Sequence, residues 1–168
     1  MTNNKKSNKS ESSHKSDFDL WVLLEQTRFA ICRAKELELA KVNLTISQAS
    51  VLYTLRIKGG EATQKEIAEF TMRQHHSVST LVNRMIQRGL LKKVKHAGDK
   101  GTRIAMTEKG QEFYNGITDV AIAMIFSSLK KEDKDKLTEN LGVLRSKARS
   151  LLGMDYVPSF LTQEKADL

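Results

Sequence analysis

Apolar side chains recur every three or four residues in the first and last parts of the chain, over residues 17–40 and 132–152. This spacing puts them on one side of an α-helix, so both segments are predicted to be amphipathic helices. A third helix with an apolar face is predicted over residues 108–129, with Thr107 as its N-terminal cap. The apolar faces are wider than one neighbouring helix would cover, which indicates contact with a partner chain.

Two shorter helices are predicted between these long ones. The first has Thr45 or Ser47 as its cap and extends through Ile57 to a glycine pair that ends it. The second begins where Thr63 and Glu66 stand three residues apart, the spacing of a capping box. It is expected to end at a break within the segment "TMRQ".

The helix predicted after this break has two chemically different sides. At about 100° per residue, one side is apolar and is expected to pack on the two shorter helices: Val78, Leu81, Val82, Met85 and Ile86. The opposite side is polar: His76, Thr80, Asn83 and Gln87. Gly89 is expected to end the helix. Its polar side is therefore left free to enter a groove.

The hydrophobic pattern changes after Gly89. The short extended segments "LLKKVKH" and "TRIAM" are joined by the turn-forming segment "AGDKG", which predicts a β-hairpin rich in Lys and Arg. Two short helices joined by a tight break and followed by a basic hairpin make a winged helix-turn-helix. The predicted fold class is therefore mainly α with a small β-hairpin wing, attached to a helical dimerisation region.

The positive charge of the chain is concentrated in this region. The formal net charge is +8, and residues 64–103 alone carry nine Lys and Arg against three Asp and Glu, a net charge of +6. A polyanion is the natural partner for such a segment, and nucleic acid is the commonest polyanion. A basic face that is merely solvated is the alternative, and charge alone does not separate the two. Together with the predicted fold, the charge favours binding to double-stranded DNA.

The residue types indicate how DNA would be bound. Asn can form paired hydrogen bonds with adenine, and Ser, Thr and His can serve bases or phosphates, so base reading is assigned to His76, Ser79, Thr80 and Asn83. The long cationic side chains of Lys100 and Arg103 suit the DNA backbone or a narrow groove. Arg84 either contacts DNA or pairs with an acidic residue and holds the wing. The predicted DNA-binding residues are Arg73, Gln74, His75, His76, Ser77, Ser79, Thr80, Asn83, Arg84, Lys100 and Arg103.

The segments "ISQASVLYTL", "TQKEIAEFTM", "HSVSTLVNRMIQRGLL" and "TEKG", in this order and spacing, resemble the MarR family of bacterial transcription regulators over about residues 18–152. No single segment is specific, but the series is. The resemblance implies a homodimer held by the first helix and the last two, and a pseudo-palindromic operator. It also implies that DNA is often released by a small ligand or an oxidant. The wing differs from the family's common Asp-x-Arg, because Asp99 is followed by Lys100 and Gly101, and Lys100 is expected to share or replace the role of Arg103.

Three parts of the chain are predicted to have separate roles. Residues 1–16 are expected to form a disordered polar and basic arm, because they are too poor in apolar residues to offset the entropy of ordering. Residues 17–152 are expected to form a single MarR-like domain, with dimerisation helices over 17–42 and 107–152 and a winged helix-turn-helix over 45–106. Residues 153–168 are expected to form a C-terminal tail.

Effector binding and redox sensing are the remaining candidate properties. Trp21, Phe29 and Tyr53 are the aromatic residues expected near a ligand pocket, although the dimer core is the main expectation for Trp21. Cys32 corresponds in type and approximate position to the sensing cysteine of peroxide-responsive family members. The chain has no second cysteine, so a small buried hydrophobic residue is the expectation for Cys32, with a redox sensor as the alternative.

No cofactor or metal is expected. A single cysteine excludes a multi-cysteine zinc or iron–sulfur site. His75 and His76 are adjacent and point about 100° apart on a helix, so they do not readily bind one metal ion. A site formed by His76, His96 and Asp99 remains an alternative.

The sequence also argues against an enzyme and against a membrane protein. It has no phosphate-binding glycine loop, no nucleophile elbow and no supported Cys–His pair. Its longest apolar run, residues 120–126, is far shorter than the ~20 residues that span a bilayer, and its N-terminus lacks the apolar core of a secretory signal, so a cytoplasmic protein is expected. The predicted function is a homodimeric, sequence-specific repressor; the alternative is a protein-interaction adaptor built on a winged-helix scaffold.

Overall fold

The computed structural model describes residues 4–96 and 101–153, with side chains described from Ser16 onward. Within these residues the chain forms seven helices and three strands: α1 Asn4–Ala40, α2 Ile46–Ile57, β1 Glu61–Thr63, α3 Gln64–Thr71, α4 His75–Gln87, β2 Leu91–Val94, β3 Arg103–Met106, α5 Glu108–Asn115, α6 Val120–Phe126 and α7 Lys131–Leu151. The predicted fold class, mainly α with a β-hairpin wing, is confirmed.

The hydrophobic core lies in the middle of the chain. Every buried apolar residue of the described chain falls between Leu39 and Ile104: Leu39, Leu44, Val51, Leu52, Leu55, Ala62, Ile67, Ala68, Val78, Val82, Met85, Leu90, Leu91 and Ile104. The predicted apolar side of α4 packs into this core, with Leu81 and Ile86 at the edge of the core. The winged unit therefore has a core of its own, and the long terminal helices contribute little to it.

Two capping boxes fix the starts of α2 and α3. Thr45 caps α2 together with Gln48. At α3, the Thr63 N–H donates to Glu66 Oε2 at 2.8 Å, and the Glu66 N–H donates to Thr63 Oγ1 at 3.2 Å. Each box satisfies backbone donors that the first helical turn leaves without partners.

The tight break between α3 and α4 forms without a glycine. Met72 adopts a left-handed backbone conformation with φ of 52°, and the following Arg73 N–H donates to the Ala68 carbonyl at 3.0 Å. A left-handed residue with this backward hydrogen bond ends the helix and turns the chain. A left-handed conformation costs a non-glycine residue about 1 kcal/mol. The sequence "TMRQ" therefore makes the turn at a modest energetic cost.

The wing is a three-stranded antiparallel sheet in the order β1-β3-β2. In the predicted hairpin, β2 pairs with β3, and Lys93 lies opposite Ile104. The sequence pattern did not predict β1, which is three residues long and too short to show an alternating pattern. It pairs with the other edge of β3, with Ala62 opposite Ile104, and attaches the wing to the start of α3.

The helix predicted over residues 108–129 is divided, and this part of the prediction is wrong. It consists of α5 and α6, separated at residues 116–119. Gly116 weakens the helix there, and Glu38 of α1 accepts hydrogen bonds from the Thr118 hydroxyl and, at 2.9 Å, from the Val120 N–H. Contacts from a distant helix thus replace the local helical bonds. We call residues 116–119 the α5–α6 junction.

A close backbone approach explains the glycine of the segment "TEKG". A Cβ atom on Gly110 would lie 2.1 Å from the Leu90 carbonyl oxygen. The N-cap Thr107 accepts a hydrogen bond from the Gly110 N–H at 3.0 Å and donates to the Gly89 carbonyl at 2.6 Å. Only glycine permits α5 to pack this closely against the end of the α4–β2 connection.

The ends of the chain differ in part from the prediction. The first helix begins at Asn4, so it extends into the predicted disordered arm. Once a helix has nucleated in the apolar segment, each further residue adds a hydrogen bond without a new nucleation cost. The turn over 97–100 and the predicted tail beyond Gly153 lie outside the described residues. In the described part of the chain, no helix combines the length and apolar character needed to cross a bilayer.

Candidate nucleic-acid interface

The outward side of α4 is polar and exposed. His76, Thr80, Asn83 and Gln87 are all solvent-exposed, whereas Val78, Val82 and Met85 on the opposite side are buried. The N-cap Gln74 makes no side-chain capping bond, and the first backbone hydrogen bond within the helix comes from the Val78 N–H. The N-terminus of α4 therefore presents backbone donors and a positive dipole end, which together favour an anion such as a phosphate.

The predicted base-reading residues differ in how free their polar groups are. Thr80 donates its hydroxyl proton to the His76 carbonyl at 3.1 Å, and the His76 ring lies 3.3 Å from the Ser77 hydroxyl. Ser79 is half-buried. The Asn83 side chain is exposed and makes no hydrogen bond within the described residues. Its amide is therefore the group on this surface best prepared to read a base.

The arginines near α4 have different surroundings. Arg73 donates to the Ser47 hydroxyl at 2.8 Å, which ties the break between α3 and α4 to the start of α2. Arg84 is exposed and forms no ion pair within the described ranges. The alternative in which Arg84 holds the wing through an acidic partner thus finds no support. Gln74, His75 and Ser77 are exposed beside Arg73, at the same end of α4.

Arg103 is the first residue of β3 and pairs with Val94, at the end of the hairpin next to the β2–β3 connection. Its Nε atom is 2.8 Å from Glu61 Oε1, a close ion pair that is not aligned as a hydrogen bond, and its Nη2 atom is 3.8 Å from Glu66 Oε2. Only 28% of the side chain is exposed. This ion pair indicates that Arg103 braces the wing, and its contact with DNA stays a prediction. Lys100, the other predicted wing residue, lies outside the described residues.

Glu61 of β1 contacts two residues of the wing region, Arg103 and His96. Besides the Arg103 ion pair, it lies within 2.9 Å of the His96 Nε2 atom. The hydrogen bond from His96 holds the pKa of Glu61 below its ordinary value, and the charges of His96 and Arg103 act in the same direction. Sequence reasoning missed this residue, because the strand that carries it is too short to recognise.

We expect Glu61→Gln to destabilise the protein at pH 7 and to have little effect in acid. The pKa of Glu61 is lower in the folded state than its ordinary 4.5. The ionised carboxylate therefore stabilises the fold above its unfolded pKa, and this contribution is lost as the pH falls through the folded pKa. Thermal unfolding of both proteins at pH 7 and about pH 3 measures the difference. A decrease in the melting temperature that is equal at both pH values would contradict this assignment. Glu69→Gln is the control, since Glu69 has only a 3.9 Å contact with Lys65.

A basic cleft lies where the wing meets the first turns of α3 and α4. It has a volume of about 340 Å³, and its lining includes Lys65, His75, Lys93 and Thr102. Lys93 is exposed on β2 beside Lys92. Lys65 and Lys93 were counted in the net charge of the basic segment but were not predicted as DNA-binding residues. Only the register of β2 shows that Lys93 lies in the same cleft as His75. Cationic groups around a concave surface are suited to a phosphate.

The structure describes two of the three residues of the alternative metal site, His76 and His96. Among the residues it describes, no group of three or more His, Cys, Asp or Glu side chains has metal-binding geometry. His96 is paired with Glu61, and Asp99 lies outside the described residues.

A second concave region lies away from α4, between α1, α2 and α5. This cavity has a volume of about 480 Å³ and is lined by Lys35, Leu39, Ile46, Ala49, Ser50, Tyr53, Phe70, Tyr114, Asn115, Ile117 and Asp119. Of the three aromatic residues predicted near a pocket, Tyr53 lies in its wall and contacts Phe70 at 5.9 Å between ring centroids. Trp21 and Phe29 do not line it and are 55% and 68% exposed. The helical face of these residues could be predicted from the spacing of apolar positions, whereas the position of the cavity could not.

One end of the cavity carries a network of charges. The Lys35 ammonium donates to Glu38 Oε2 at 3.1 Å, to Asp119 Oδ1 at 2.8 Å and to the Thr118 carbonyl. Burial lowers the pKa of Lys35, but the hydrogen bonds to Asp119 and Glu38 outweigh this and raise the pKa above its ordinary value. The ammonium group therefore stays charged at neutral pH.

Cys32 is half-buried on α1. It lies close to Arg28, whose pKa is raised chiefly by its hydrogen bond to Glu25, with a smaller effect of the Cys32 side chain. Within the described residues it is the only cysteine, so it has no disulfide partner there.

Comparisons with known proteins agree with this architecture. A family model described as MarR family matches residues 42–100. The structure is similar to that of the organohalide-sensing RdhR transcriptional regulator with 2,4-dichlorophenol bound, with 31% sequence identity and a TM-score of 0.72. That alignment covers 80% of this chain and 82% of the other. A search of curated proteins found no match.

Two DNA complexes are similar in fold at lower identity. A mutant MarR from Escherichia coli complexed with operator DNA has 16% identity and a TM-score of 0.69, with 77% of this chain and 95% of the other covered. The MepR–DNA complex from Staphylococcus aureus has 22% identity and a TM-score of 0.68, with coverage of 75% and 94%. At these identities the likeness concerns the fold alone.

Proposed function

This chain belongs to the MarR family of transcriptional regulators, and on that premise we propose that it is a homodimeric repressor of a pseudo-palindromic operator. A small ligand or an oxidant releases it from the DNA. Residues 45–106 read the DNA, and residues 17–42 and 107–152 hold the dimer together.

The main support is the arrangement of α4. Its apolar side is fixed in the core of the winged unit, and its polar side is exposed with a free amide on Asn83. A helix whose apolar side is held rigidly in the core can present the same donors and acceptors to each major groove that it contacts. The basic cleft beside its N-terminus supplies the phosphate contacts that fix the helix in register. Bases are thus read by α4, and affinity comes from the surrounding cations.

The helices at the two ends of the chain support a dimer. In the described part of α6 and α7, Arg149 is the only buried residue, although α6 consists almost entirely of apolar residues and α7 carries four Leu and one Val. Leu20, Leu23 and Leu24 of α1 line an apolar groove of about 500 Å³ with Leu141 and Leu144 of α7. A continuous apolar surface of this kind is a feature of interaction sites rather than of monomers. In a two-fold dimer it would place two copies of α4 about one DNA turn, ~34 Å, apart.

The cavity between α1, α2 and α5 is the proposed effector site. It lies between the first dimerisation helix and the winged unit, and its walls combine apolar side chains with a few polar groups, as ligand sites usually do. The related RdhR regulator, by its description, senses organohalides and binds 2,4-dichlorophenol. A ligand here would act by changing the spacing of the two DNA-binding units, with a coupling free energy of about 1–3 kcal/mol.

We expect Lys93→Ala to weaken binding to all DNA sequences by a similar factor. Lys93 lies in the basic cleft and is suited to a phosphate, which carries no sequence information. The slope of log affinity against log salt should fall by about one unit for each subunit engaged. Titrations of operator and scrambled duplexes at several salt concentrations measure both quantities. A loss confined to the operator would assign Lys93 to base reading instead.

Selection of bound fragments from the genome of the source organism tests the proposal. The full-length protein is expected to enrich fragments that share an inverted repeat with half-sites one helical turn apart. Enrichment without a shared sequence, or no retention of DNA at low salt, would contradict it and would favour a protein-interaction adaptor.

A further inference from the structure

We propose that Arg88 is a positioning residue that fixes the angle of α4 relative to α1, and that it thereby sets the half-site spacing that the protein accepts. The inference rests on the proposed function as a dimeric DNA-binding regulator. It adds a residue that controls specificity for the length of the operator without contacting a base.

Arg88 lies at the C-terminal end of α4, opposite the end that borders the basic cleft. Its backbone N–H donates to the Arg84 carbonyl at 3.0 Å, so the helix ends normally without help from the side chain. The side chain is half-buried. Its guanidinium contacts two elements outside α4, and these contacts are the basis of the proposed role.

The first contact joins α4 to the turn between α1 and α2, which consists of residues 41–45. The Arg88 Nη2 group donates to the Asn43 carbonyl at 3.0 Å. Asn43 has a left-handed backbone with φ of 53°. The Leu44 N–H donates to the Leu39 carbonyl at 3.1 Å, and both leucines are buried. The guanidinium therefore binds a well-fixed part of the chain at the C-terminal end of α1.

The second contact joins α4 to α5. The Arg88 guanidinium carbon lies 5.8 Å from the centre of the Phe113 ring, within the range of a cation–π interaction. The Arg88 carbonyl also accepts a hydrogen bond from the Lys109 ammonium at 3.0 Å. The end of α5 in turn approaches the α1–α2 turn, since a Cβ atom on Gly116 would lie 3.4 Å from Val42 Cγ1. Arg88 thus lies where α4, α5 and this turn meet.

These contacts are placed to control the orientation of α4 in a dimer. The elements on which α4 mainly packs are α2, α3 and β2, which belong to the winged unit. A rotation of each winged unit about the end of α1 changes the distance and the relative twist of the two copies of α4. One extra base pair between half-sites requires a shift of about 3.4 Å and a rotation of about 35°. Such a rotation separates the Arg88 guanidinium from the Asn43 carbonyl, so Arg88 opposes it.

Titration of operators with altered half-site spacing tests the inference. The probes are the operator selected from the genome and two versions with one base pair added or removed between the half-sites. The wild-type protein is expected to bind the altered duplexes at least about 30-fold more weakly than the operator. Arg88→Met, which keeps the apolar part of the side chain, should reduce this discrimination by about threefold to tenfold. Arg88→Lys keeps a charged donor and should restore most of it.

The ratio of affinities separates positioning from a general loss of stability. A destabilised protein loses affinity for all three duplexes by the same factor, and its discrimination stays the same. Arg56→Met is the matched control, because it removes the same charge from an exposed residue of α2. It should keep the wild-type discrimination. Phe113→Leu, which removes the aromatic partner of Arg88, should change the discrimination in the same direction as Arg88→Met.

A measurement without DNA separates this inference from the proposed function. Cys32 is the only cysteine of the chain, so Thr80→Cys in a Cys32→Ser background places one spin label on the exposed side of α4. Pulsed electron paramagnetic resonance then measures the distance between the two copies of α4. Arg88→Met should broaden the distribution of this distance by about 1.5-fold or more, and Arg56→Met should not.

Three results would overturn the inference. They are an Arg88→Met variant with the wild-type discrimination among the three duplexes, an Arg56→Met variant that loses as much discrimination as Arg88→Met, and a distance distribution that Arg88→Met leaves unchanged. A protein that selects no operator from the genome would contradict the proposed function. In that case a distance distribution broadened by Arg88→Met would still support the role of Arg88.

Discussion

Leu141→Glu is expected to convert the protein into a monomer and to abolish tight operator binding. Leu141 lies on the exposed apolar side of α7 and lines the groove between α7 and α1. In a two-fold dimer the substitution places two carboxylates in the interface, each at a cost of several kcal/mol unless it is paired. The dissociation constant of the dimer should rise by at least about 100-fold. Because a single winged unit reads one half-site, most of the operator affinity is lost with the dimer.

Light scattering at micromolar concentration measures the first effect, and an operator titration measures the second. The core of the winged unit lies between Leu39 and Ile104, so the circular dichroism of the variant should remain helical. Ser146→Glu is the matched control, since it adds the same charge to an exposed position of α7 outside the apolar groove. A Leu141→Glu variant that remains dimeric would place the interface elsewhere.

Asn83→Ala is expected to weaken operator binding by about 1–3 kcal/mol and to leave binding to random DNA nearly unchanged. Asn83 is exposed at the middle of α4, and its amide has no partner among the described residues. Such an amide can form two hydrogen bonds with an adenine edge, and a scrambled duplex offers no adenine in register. Alanine has the higher helix propensity, so the variant should not lose stability.

The comparison with Lys93→Ala separates base reading from phosphate binding. Asn83→Ala should reduce the ratio of operator affinity to random-duplex affinity and leave the salt slope unchanged. Lys93→Ala should leave the ratio unchanged and reduce the slope. Equal losses of affinity on both duplexes for Asn83→Ala would show that α4 is not the surface that reads bases.

Patterns within one or two helical turns predicted the starts of α2 and α3 and the two sides of α4. Thr45, one of the two predicted caps, starts α2, and the predicted capping box of Thr63 and Glu66 starts α3. The period of 3.6 residues correctly separated the buried and exposed sides of α4. In each case the signal lies within one or two turns of helix, where sequence distance and spatial distance agree.

Contacts between distant residues account for what the sequence did not predict. The α5–α6 junction forms because Glu38, about 80 residues away, binds Thr118 and Val120. The ion pair of Arg103 with Glu61 was not predicted either, because β1, the strand that carries Glu61, is too short to recognise from the sequence. Tyr53 was predicted near a pocket because it is aromatic. Its neighbours in the cavity were not predicted, because they come from the distant elements α1, α3 and α5. Residue type and period carry no information about such pairings.

The central claim is that this chain binds a specific DNA sequence through α4 and the surrounding basic residues. Titration of the wild-type protein with its selected operator and with a scrambled duplex, over a range of salt concentrations, tests it most directly. The operator should bind about 10³-fold or more tightly than the scrambled duplex, and both affinities should fall steeply as salt increases. Equal affinities for the two duplexes, or an affinity that does not change with salt, would contradict the claim.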